Sequence, residues 1–288
     1  MAAREVTRAA ASAALTLPRR RLVTVPLLRR ESIGESYHVL SFDDPDGGEV
    51  LPGQFAMVRG VEWGQSPLLP RPMSYLTGGK TPSILIKVFG EGTVRMARAE
   101  PGEPFSLLGP LGNPWRPHSP GRRQLLVGGG VGIAPLIFLA RKLAADNSRP
   151  IVLYGGRSAR DLPLDDDVAE LGELVITTED GSRGTRGRVT DVLETLLKND
   201  MEVFTCGPDR MMAKVAEICA LRDVPCEASL ETPMACGYGV CLGCPVPTVD
   251  GQYLYACMQG PCIDARRIDW SDAGHAPVKL HAAPEGVT

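Results

Sequence analysis

Four cysteines near the C-terminus have the residue type and spacing that hold a metal cluster. Cys236, Cys241 and Cys244 lie within nine residues, and Cys257 follows later in the chain. A Cys-x4-Cys-x2-Cys run with a distant fourth cysteine is the plant-type spacing for a [2Fe–2S] cluster. Two glycines between the first pair allow positive φ and bring backbone N–H groups close to the sulfurs. The pattern therefore predicts a carrier of single electrons.

Zinc is the main alternative for these cysteines, because four thiolates also make a structural zinc site. Zinc sites usually present two separated Cys-x2-Cys pairs, whereas three of these cysteines lie in one loop. Disulfides are disfavoured because the chain is not a small secreted scaffold. Of the four scattered cysteines, Cys219 and Cys226 are most simply interpreted as small buried apolar residues.

Two short motifs indicate a pyrophosphate site. The segment 71–74, Arg-Pro-Met-Ser, places a guanidinium and a hydroxyl on a rigid strand, and arginine suits bidentate recognition of phosphate. The segment 90–93, Gly-Glu-Gly-Thr, is a glycine turn that leads into a helix N-terminus, where free N–H groups and the helix dipole favour an anion. Each motif alone is common, but the pair predicts a pyrophosphate clamp.

Three further segments indicate a dinucleotide site. Residues 128–132, Gly-Gly-Gly-Val-Gly, join a strand to a helix, and residues 205–211 repeat this arrangement. Both follow strand ends, where open α/β sheets bind ligands, although neither is the Gly-x-Gly-x-x-Gly fingerprint and a structural turn is the alternative. After another strand, Glu179 and Asp180 would repel a 2′-phosphate, which favours NAD over NADP. Their alternative role is to cap a solvent-exposed turn.

The elements that position these motifs change in type along the chain. Residues 21–114 contain short runs rich in branched side chains between Gly and Pro, which predicts a small antiparallel barrel. From residue 123, strands alternate with helices, which predicts a parallel sheet with helices on both faces. The predicted barrel strands are 22–28, 37–42, 54–59, 74–76, 84–89 and 105–108, with one helix at 93–99. The predicted later strands are 124–127, 151–154, 174–177 and 202–205, with helices at 134–145, 189–197 and 208–221.

Composition excludes two classes of function. The 31 Lys and Arg residues against 34 Asp and Glu residues give a net charge of −3, which argues against a general nucleic-acid binder. No apolar run approaches the roughly 18 residues of a membrane span, so we expect no membrane partner and a cytoplasmic location. The first 20 residues are rich in Ala and Arg, and we interpret them as a disordered tail rather than a transit segment.

Taken in order, the motifs resemble those of the ferredoxin–NADP reductase superfamily. The matching segments are 52–55, 71–74, 128–132 and 206–211, in that family's order of flavin barrel followed by nucleotide domain. Adding residues 234–244 and 257–261, the chain resembles the iron–sulfur electron-transfer subunit of NAD-linked dihydroorotate dehydrogenase. The resemblance covers about residues 21–270. It departs from the family in its two tails and at Cys262, where an apolar residue is expected.

The resemblance implies a multidomain α+β fold. Its expected units are a tail (1–20), an antiparallel β-barrel FAD domain (21–118), an α/β parallel-sheet NAD domain (119–228), a [2Fe–2S] domain (229–270) and a second tail (271–288). It implies that FAD is held by Arg71, Pro72, Met73, Ser74, Leu85, Ile86, Lys87, Gly92 and Thr93. The candidate nucleotide residues are Gly128, Gly129, Gly130, Gly132, Glu179, Asp180, Cys206, Gly207 and Pro208. The cluster ligands would be Cys236, Cys241, Cys244 and Cys257.

The implied function is electron transfer between dihydroorotate and NAD⁺ in pyrimidine biosynthesis. Dihydroorotate would be oxidised at FMN in a separate catalytic subunit, with the two kinds of subunit expected to form a heterotetramer. Electrons would pass through the cluster and FAD to NAD⁺, and no general acid or base is expected in this chain. Two alternatives remain open. One is a subunit of an NAD(P)H–ferredoxin or sulfide dehydrogenase, and the other is a zinc-stabilised adaptor without enzymatic activity.

Overall fold

A computed structural model describes residues 17–116 and 119–271 of the chain. Its first half is a closed six-stranded antiparallel barrel with the strand order β1-β2-β5-β4-β3-β6. The strands are β1 (Arg21–Ile33), β2 (Tyr37–Phe42), β3 (Phe55–Gly60), β4 (Arg71–Thr77), β5 (Ser83–Lys87) and β6 (Pro104–Leu111). The long strand β1 closes the barrel, because its first half pairs with β6 and its second half pairs with β2 across an irregularity between Leu27 and Arg29.

The barrel is filled by apolar side chains from alternate strand positions. Leu40, Phe42, Val58 and Ile84 are each at most 1% exposed, and Phe105 packs edge-on against Phe42 with ring centroids 5.4 Å apart. Helix α1 (Glu91–Arg98) follows β5. The predicted strand 84–89 ends earlier than expected, at Lys87, because the chain turns outward and leaves Phe89 95% exposed.

The second half is a mainly parallel sheet with the strand order β10-β9-β8-β7-β11-β12-β15. Its elements are β7 (Arg123–Gly129), α2 (Ile133–Ala145), β8 (Ile151–Gly156), α3 (Asp165–Leu171), β9 (Glu173–Thr178), β10 (Thr185–Arg186), α4 (Val189–Leu196), β11 (Met201–Cys206), α5 (Asp209–Leu221) and β12 (Cys226–Ser229). Leu125 packs in one apolar cluster with α4 and α5, whereas Leu126 packs in another with α2 and α3. Helices therefore cover both faces of the sheet, as predicted.

The C-terminal segment is tied to this sheet. Strands β13 (Pro245–Pro247) and β14 (Tyr253–Tyr255) form a small hairpin. Strand β15 (Cys262–Asp264) pairs antiparallel with β12, so that Ser229 lies opposite Cys262. The segment expected to form a separate cluster domain thus contributes an edge strand to the seven-stranded sheet.

Some expectations concern residues that the structure does not describe. Residues 1–16 and 272–288, which make up most of both predicted tails, lie outside the described ranges. Within those ranges, no helix is long and apolar enough to cross a membrane.

Candidate functional site

The two halves of the predicted pyrophosphate clamp lie together. Arg71 begins β4, and Gly92 lies in the first turn of α1. A Cβ atom on Gly92 would lie 2.7 Å from Arg71 Nε and 3.0 Å from Arg71 Cζ, so the guanidinium lies directly against that turn. Burial lowers the pKa of Arg71, and the nearby Glu91 carboxylate opposes this shift. A cation and a helix N-terminus thus face the same space, which is the arrangement that binds phosphate oxygens.

Thr93 orders the turn that precedes α1. Its hydroxyl oxygen accepts hydrogen bonds from the backbone N–H groups of Phe89 (2.9 Å) and Gly90 (3.1 Å), and the hydroxyl donates to the Gly90 carbonyl (3.0 Å). The hydroxyl is therefore occupied in capping the helix. The other predicted residues of this region lie on the two strands that run to the clamp. Pro72, Met73 and Ser74 are half-buried on β4, and Leu85 and Ile86 are buried on β5.

Lys87, predicted to contact FAD, lies at the boundary between the two halves of the chain. Its ammonium group donates to Asp161 Oδ1 at 2.9 Å, and Asp161 lies in the nucleotide-binding half. Burial alone would lower the pKa of Lys87, but hydrogen bonds to Tyr37 and Asp161 raise it. Neither Tyr37 nor Asp161 carries a local sequence signal, and both were missed by the sequence analysis.

The two predicted nucleotide loops lie in contact with each other. A Cβ atom on Gly132 would lie 2.6 Å from the Cys206 carbonyl oxygen, and one on Gly129 would lie 2.7 Å from Met211 Sδ. Gly207, at φ +154°, would place a Cβ atom 3.0 Å from the Gly129 nitrogen. The loop after β7 and the loop after β11 therefore pack backbone to backbone at the carboxyl ends of adjacent strands.

The glycines in the rest of the loop after β7 also lie close to neighbouring residues. Gly128 packs against Ile133, since a Cβ atom there would lie 2.8 Å from Ile133 Cδ1, and Gly130 has φ +54°. Pro208 precedes the first residue of α5. At Gly128, Gly129, Gly132 and Gly207 a Cβ atom would meet neighbouring protein atoms closer than 3.0 Å, so these glycines let the two loops and the following helices pack closely. This geometry fits a bound dinucleotide.

Cys206 lies at the end of β11 and is fully enclosed. Burial raises its pKa well above the usual range, and the Glu231 carboxylate raises it further. Glu231 follows the end of β12 and is exposed. Sequence analysis missed Glu231, because a single glutamate after a strand has no distinguishing pattern.

The acidic pair after β9 is arranged as a turn. Asp180 Oδ1 accepts hydrogen bonds from the Ser182 backbone N–H (2.9 Å) and the Ser182 hydroxyl (2.6 Å), which lower the pKa of Asp180. Glu179 is exposed beside it. The Arg186 side chain lies close to the same turn, 3.3 Å from the position of a Cβ atom on Gly181. Asp180 therefore has the local capping role that was the alternative to nucleotide recognition, whereas Glu179 points to solvent.

The four clustered cysteines lie around a tight loop. Cys244 Sγ lies 3.3 Å from Cys257 Sγ, and the Cys241 backbone N–H donates to Cys236 Sγ at 3.5 Å. Burial raises the pKa of Cys236, but several hydrogen bonds to its sulfur, chiefly from the backbone N–H groups of Cys241, Tyr238 and Val240, together outweigh it and lower that pKa to about 6. Amides directed at sulfur stabilise thiolates, so the donor types fit an iron–sulfur cluster, although among the described residues no three of these cysteines lie close enough together to hold a metal ion as placed.

Two glycines allow this loop to pack closely against Met57 and Met258. Gly237 has φ +77°, and a Cβ atom there would lie 2.5 Å from Met57 Cγ on barrel strand β3. Gly239 has φ +89°, and a Cβ atom there would lie 2.6 Å from Met258 Sδ. Met57 lies opposite Pro72 in the barrel, so the loop lies against the strand pair that carries the clamp.

Cys262 lies apart from this loop. It is 5% exposed, and its Sγ lies 3.8 Å from the Gly53 carbonyl oxygen. It packs in the apolar cluster that contains Trp115 and Ile133. Cys262 thus fills the apolar position that the family pattern places there.

Comparisons with known proteins agree with this arrangement. Residues 231–269 match the family model described as the iron–sulfur cluster binding domain of dihydroorotate dehydrogenase B, and residues 126–217 match the oxidoreductase NAD-binding domain. A solved structure titled for flavin-based electron bifurcation by an NADH-dependent reduced ferredoxin–NADP oxidoreductase superposes with a TM-score of 0.77 at 28% identity, covering 86% of this chain and 91% of that one.

Full-length relatives are similar over most of their length. The chain is 34% identical over 248 residues to the dihydroorotate dehydrogenase B (NAD(+)) electron transfer subunit of Desulforamulus reducens, covering 83% of this chain and 94% of the relative. It is 37% identical over 226 residues to the corresponding subunit of Bacillus caldolyticus, covering 75% and 86%. With its iron–sulfur and NAD-binding domains on a reductase fold, the chain belongs to the family of dihydroorotate dehydrogenase B electron-transfer subunits.

Proposed function

We propose that this chain passes electrons from dihydroorotate oxidation in a partner subunit to NAD⁺ in pyrimidine biosynthesis. When bound, FAD exchanges a hydride with NAD and single electrons with the [2Fe–2S] cluster. The observation that carries the proposal is the position of the barrel. The barrel contacts the cysteine loop through Met57 on β3 and the nucleotide half through Lys87 on β5. These contacts support an FAD site between the one-electron and two-electron ends of the route.

Each binding site is assigned to residues whose geometry suits it. We assign the FAD pyrophosphate to Arg71 and the first turn of α1, and the cluster to the four loop cysteines. The full assignments for FAD are Arg71, Pro72, Met73, Ser74, Leu85, Ile86, Lys87, Gly92 and Thr93. Those for NAD are Gly128, Gly129, Gly130, Gly132, Glu179, Cys206, Gly207 and Pro208, whereas Asp180 orders the turn beside Glu179. Those for iron are Cys236, Cys241, Cys244 and Cys257.

The partner would be an FMN-containing catalytic subunit, joined with this chain in a cytoplasmic heterotetramer. Its docking surface would include the outer side of the cysteine loop, where Tyr238, Val240 and Leu242 are 46%, 72% and 52% exposed. Apolar side chains exposed on one short loop are typical of a surface that another protein covers. Cys241 lies among them and is itself exposed, which would bring the cluster close to the partner.

The substitution Cys241→Ser tests this route. Direct oxidation of NADH by a dye that accepts electrons from FAD should be unaffected, because the clamp and the nucleotide loops are untouched. Dihydroorotate-dependent reduction of NAD⁺ in the reconstituted complex should be lost. Cys219→Ala, a buried cysteine on α5, is the matched control and should preserve both activities. Complex formation is measured separately by gel filtration, because loss of a ligand can loosen the loop. A Cys241→Ser variant that binds its partner and couples at the normal rate would exclude the proposed route.

A second candidate is an NAD(P)H–ferredoxin oxidoreductase subunit. The similarity to the solved NADH-dependent reduced ferredoxin–NADP oxidoreductase, at 28% identity over 86% of this chain, favours it. Reduction of ferredoxin by NADH in the absence of any dihydroorotate-oxidising subunit distinguishes the two. Robust ferredoxin reduction together with failure to couple to dihydroorotate would replace the first function by the second.

A further inference from the structure

Two barrel side chains, those of Lys87 and Tyr37, donate hydrogen bonds to the carboxylate of Asp161 in the nucleotide half. Lys87 Nζ donates to Asp161 Oδ1 at 2.9 Å, and the Tyr37 hydroxyl donates to the same oxygen at 3.3 Å. Lys87 Nζ also lies 5.1 Å from the centroid of the Tyr37 ring, within the range of a cation–π contact. Tyr37 begins β2 and Lys87 ends β5, whereas Asp161 ends the 3-10 turn Ala159–Asp161 after β8. The Asp161 carboxylate thus joins the two halves of the chain.

This contact lies beside the first nucleotide loop. A Cβ atom on Gly130 would lie 3.8 Å from the Tyr37 hydroxyl and 4.0 Å from the Asp161 carbonyl oxygen. The Tyr154 hydroxyl donates to the Gly130 carbonyl at 3.1 Å and holds the loop from its other side. The contact therefore connects the end of the strand assigned to FAD with the loop assigned to NAD.

The Asp161 carboxylate is less exposed than the carboxylate of the α2 surface pair Lys142–Asp146. The side chain of Asp161 is 23% exposed and that of Lys87 is 43% exposed, compared with 60% and 47% for the pair Lys142–Asp146 on α2. Screening by solvent and salt is weaker where charges are partly buried. Burial alone would raise the pKa of Asp161, but Lys87 and Tyr37 outweigh it and lower that pKa, so the carboxylate is ionised at neutral pH.

We propose that Asp161 is a positioning residue that fixes the nucleotide domain against the flavin barrel through Lys87 and Tyr37, and so sets the distance between nicotinamide and flavin. The inference rests on the proposed function. Hydride transfer requires the reacting atoms to lie about 3–3.5 Å apart, and a misplacement of about 1 Å can cost on the order of 100-fold in rate. Because this contact joins the two halves of the chain between the two assigned binding sites, its loss would change their separation.

The test compares Asp161→Asn with the wild type and with the control Asp146→Asn, which removes the exposed α2 pair. Flavin reduction by saturating NADH, followed anaerobically by stopped flow, should slow about tenfold in Asp161→Asn, as expected for a displacement of less than about 1 Å. NADH affinity should stay unchanged. The long-wavelength charge-transfer absorption of the stacked nicotinamide and flavin should weaken. Asp146→Asn should match the wild type in all three measurements.

A readout that needs no cofactor is hydrogen exchange in FAD-free protein. The backbone N–H groups of Asp161 and Leu162 donate to Ser158 and Ala159 carbonyls at 3.0 and 3.3 Å. Their exchange should quicken in Asp161→Asn, because the turn loses its anchor on the barrel. If this variant does not fold, Tyr37→Phe decides instead, since it removes only one hydroxyl and should slow flavin reduction in the same direction.

Unchanged flavin reduction and charge-transfer absorption in the folded variant would overturn the proposal. An effect confined to NADH affinity would overturn it too, because Asp161 would then be a nucleotide contact. Failure of NADH to reduce the wild-type flavin is a separate outcome, and it would refute the proposed function rather than the role of Asp161.

Discussion

Replacing Gly92 by alanine should stabilise helix α1 and at the same time weaken FAD binding. Gly92 lies in the first turn of α1 without a left-handed φ, so alanine can adopt its backbone conformation. The added Cβ atom would lie 2.7 Å from Arg71 Nε and 3.0 Å from Arg71 Cζ. Real Cβ contacts are longer than the first of these, and the flexible Arg71 side chain would move away. Helix α1 would keep its structure when Arg71 moves, but a bound phosphate would lose its contact with the Arg71 guanidinium.

Gly92→Ala should raise the stability of the protein but lower its affinity for FAD, and the size of each effect can be worked out separately. Glycine inside a helix costs roughly 0.5–1 kcal/mol relative to alanine, so the free energy of unfolding of the FAD-free protein should rise by up to that amount. A hydrogen bond from a charged group contributes about 1.5–3 kcal/mol, and each 1.4 kcal/mol is tenfold in affinity, so the FAD dissociation constant should rise by about 10- to 150-fold. Arg71→Ala should weaken FAD binding similarly without the gain in stability.

Urea unfolding of FAD-free protein measures the first effect, and titration with FAD, followed by quenching of flavin fluorescence, measures the second. Gly48→Ala is the matched control, because its Cβ atom would meet nothing within 4 Å and its φ is not left-handed. It should leave FAD affinity unchanged. Unaltered FAD affinity in a stabilised Gly92→Ala variant would mean that Arg71 does not bind the pyrophosphate from this position. Loss of both affinity and stability would mean that Gly92 serves the fold rather than the clamp.

Three other outcomes are expected. Protein purified without oxygen should contain about two iron and two acid-labile sulfide atoms per chain, measured by colorimetric assay, and stoichiometric zinc without iron would exclude the cluster. Dye reduction should prefer NADH to NADPH, and Glu179→Ser should narrow that preference; a wild-type preference for NADPH would contradict the assignment. Burial raises the pKa of Glu227 to about 7, against the opposing effect of Arg116, so wild-type thermal stability should fall as pH rises from about 4.5 to 7. Glu227→Gln should flatten this fall, and an equal fall in both proteins would show that another group titrates.

The barrel could be predicted because its signal is local. Its strands alternate buried branched residues with turns of Gly and Pro, and the predicted strand 37–42 matches β2 to the residue. Helix α3 could not be predicted, because it begins with Asp165, Asp166 and Asp167, and Val168 is its only buried residue. No apolar stripe of helical period marks it. Strand β12 was also missed, since the segment Cys226–Ser229 contains no branched residue and is defined by its pairing with β11 on one side and β15 on the other.

The same difference between local and tertiary signals applies to the candidate site residues. Arg71 and Gly92 were predicted as a pair because each belongs to a motif with its own physical reason to bind phosphate. Asp161 had no such motif. Its role depends on how the nucleotide half packs against Lys87 and Tyr37, which follows from tertiary structure alone. Spacing in sequence also could not show whether Cys262 reaches the cluster, and the structure places it against Gly53.

Cys206 lacks the features of a reactive cysteine. A nucleophilic cysteine requires a thiolate, which a lowered pKa supplies. Burial and the Glu231 carboxylate do the opposite and keep the Cys206 thiol neutral, so it can only pack beside the nucleotide loops. The glycines at positions 92, 129 and 237 instead decide how closely neighbouring groups approach, since each would place a Cβ atom within 2.7 Å of a side chain. Because hydride transfer depends steeply on distance and the cofactors supply the chemistry, these close contacts bear directly on the proposed function.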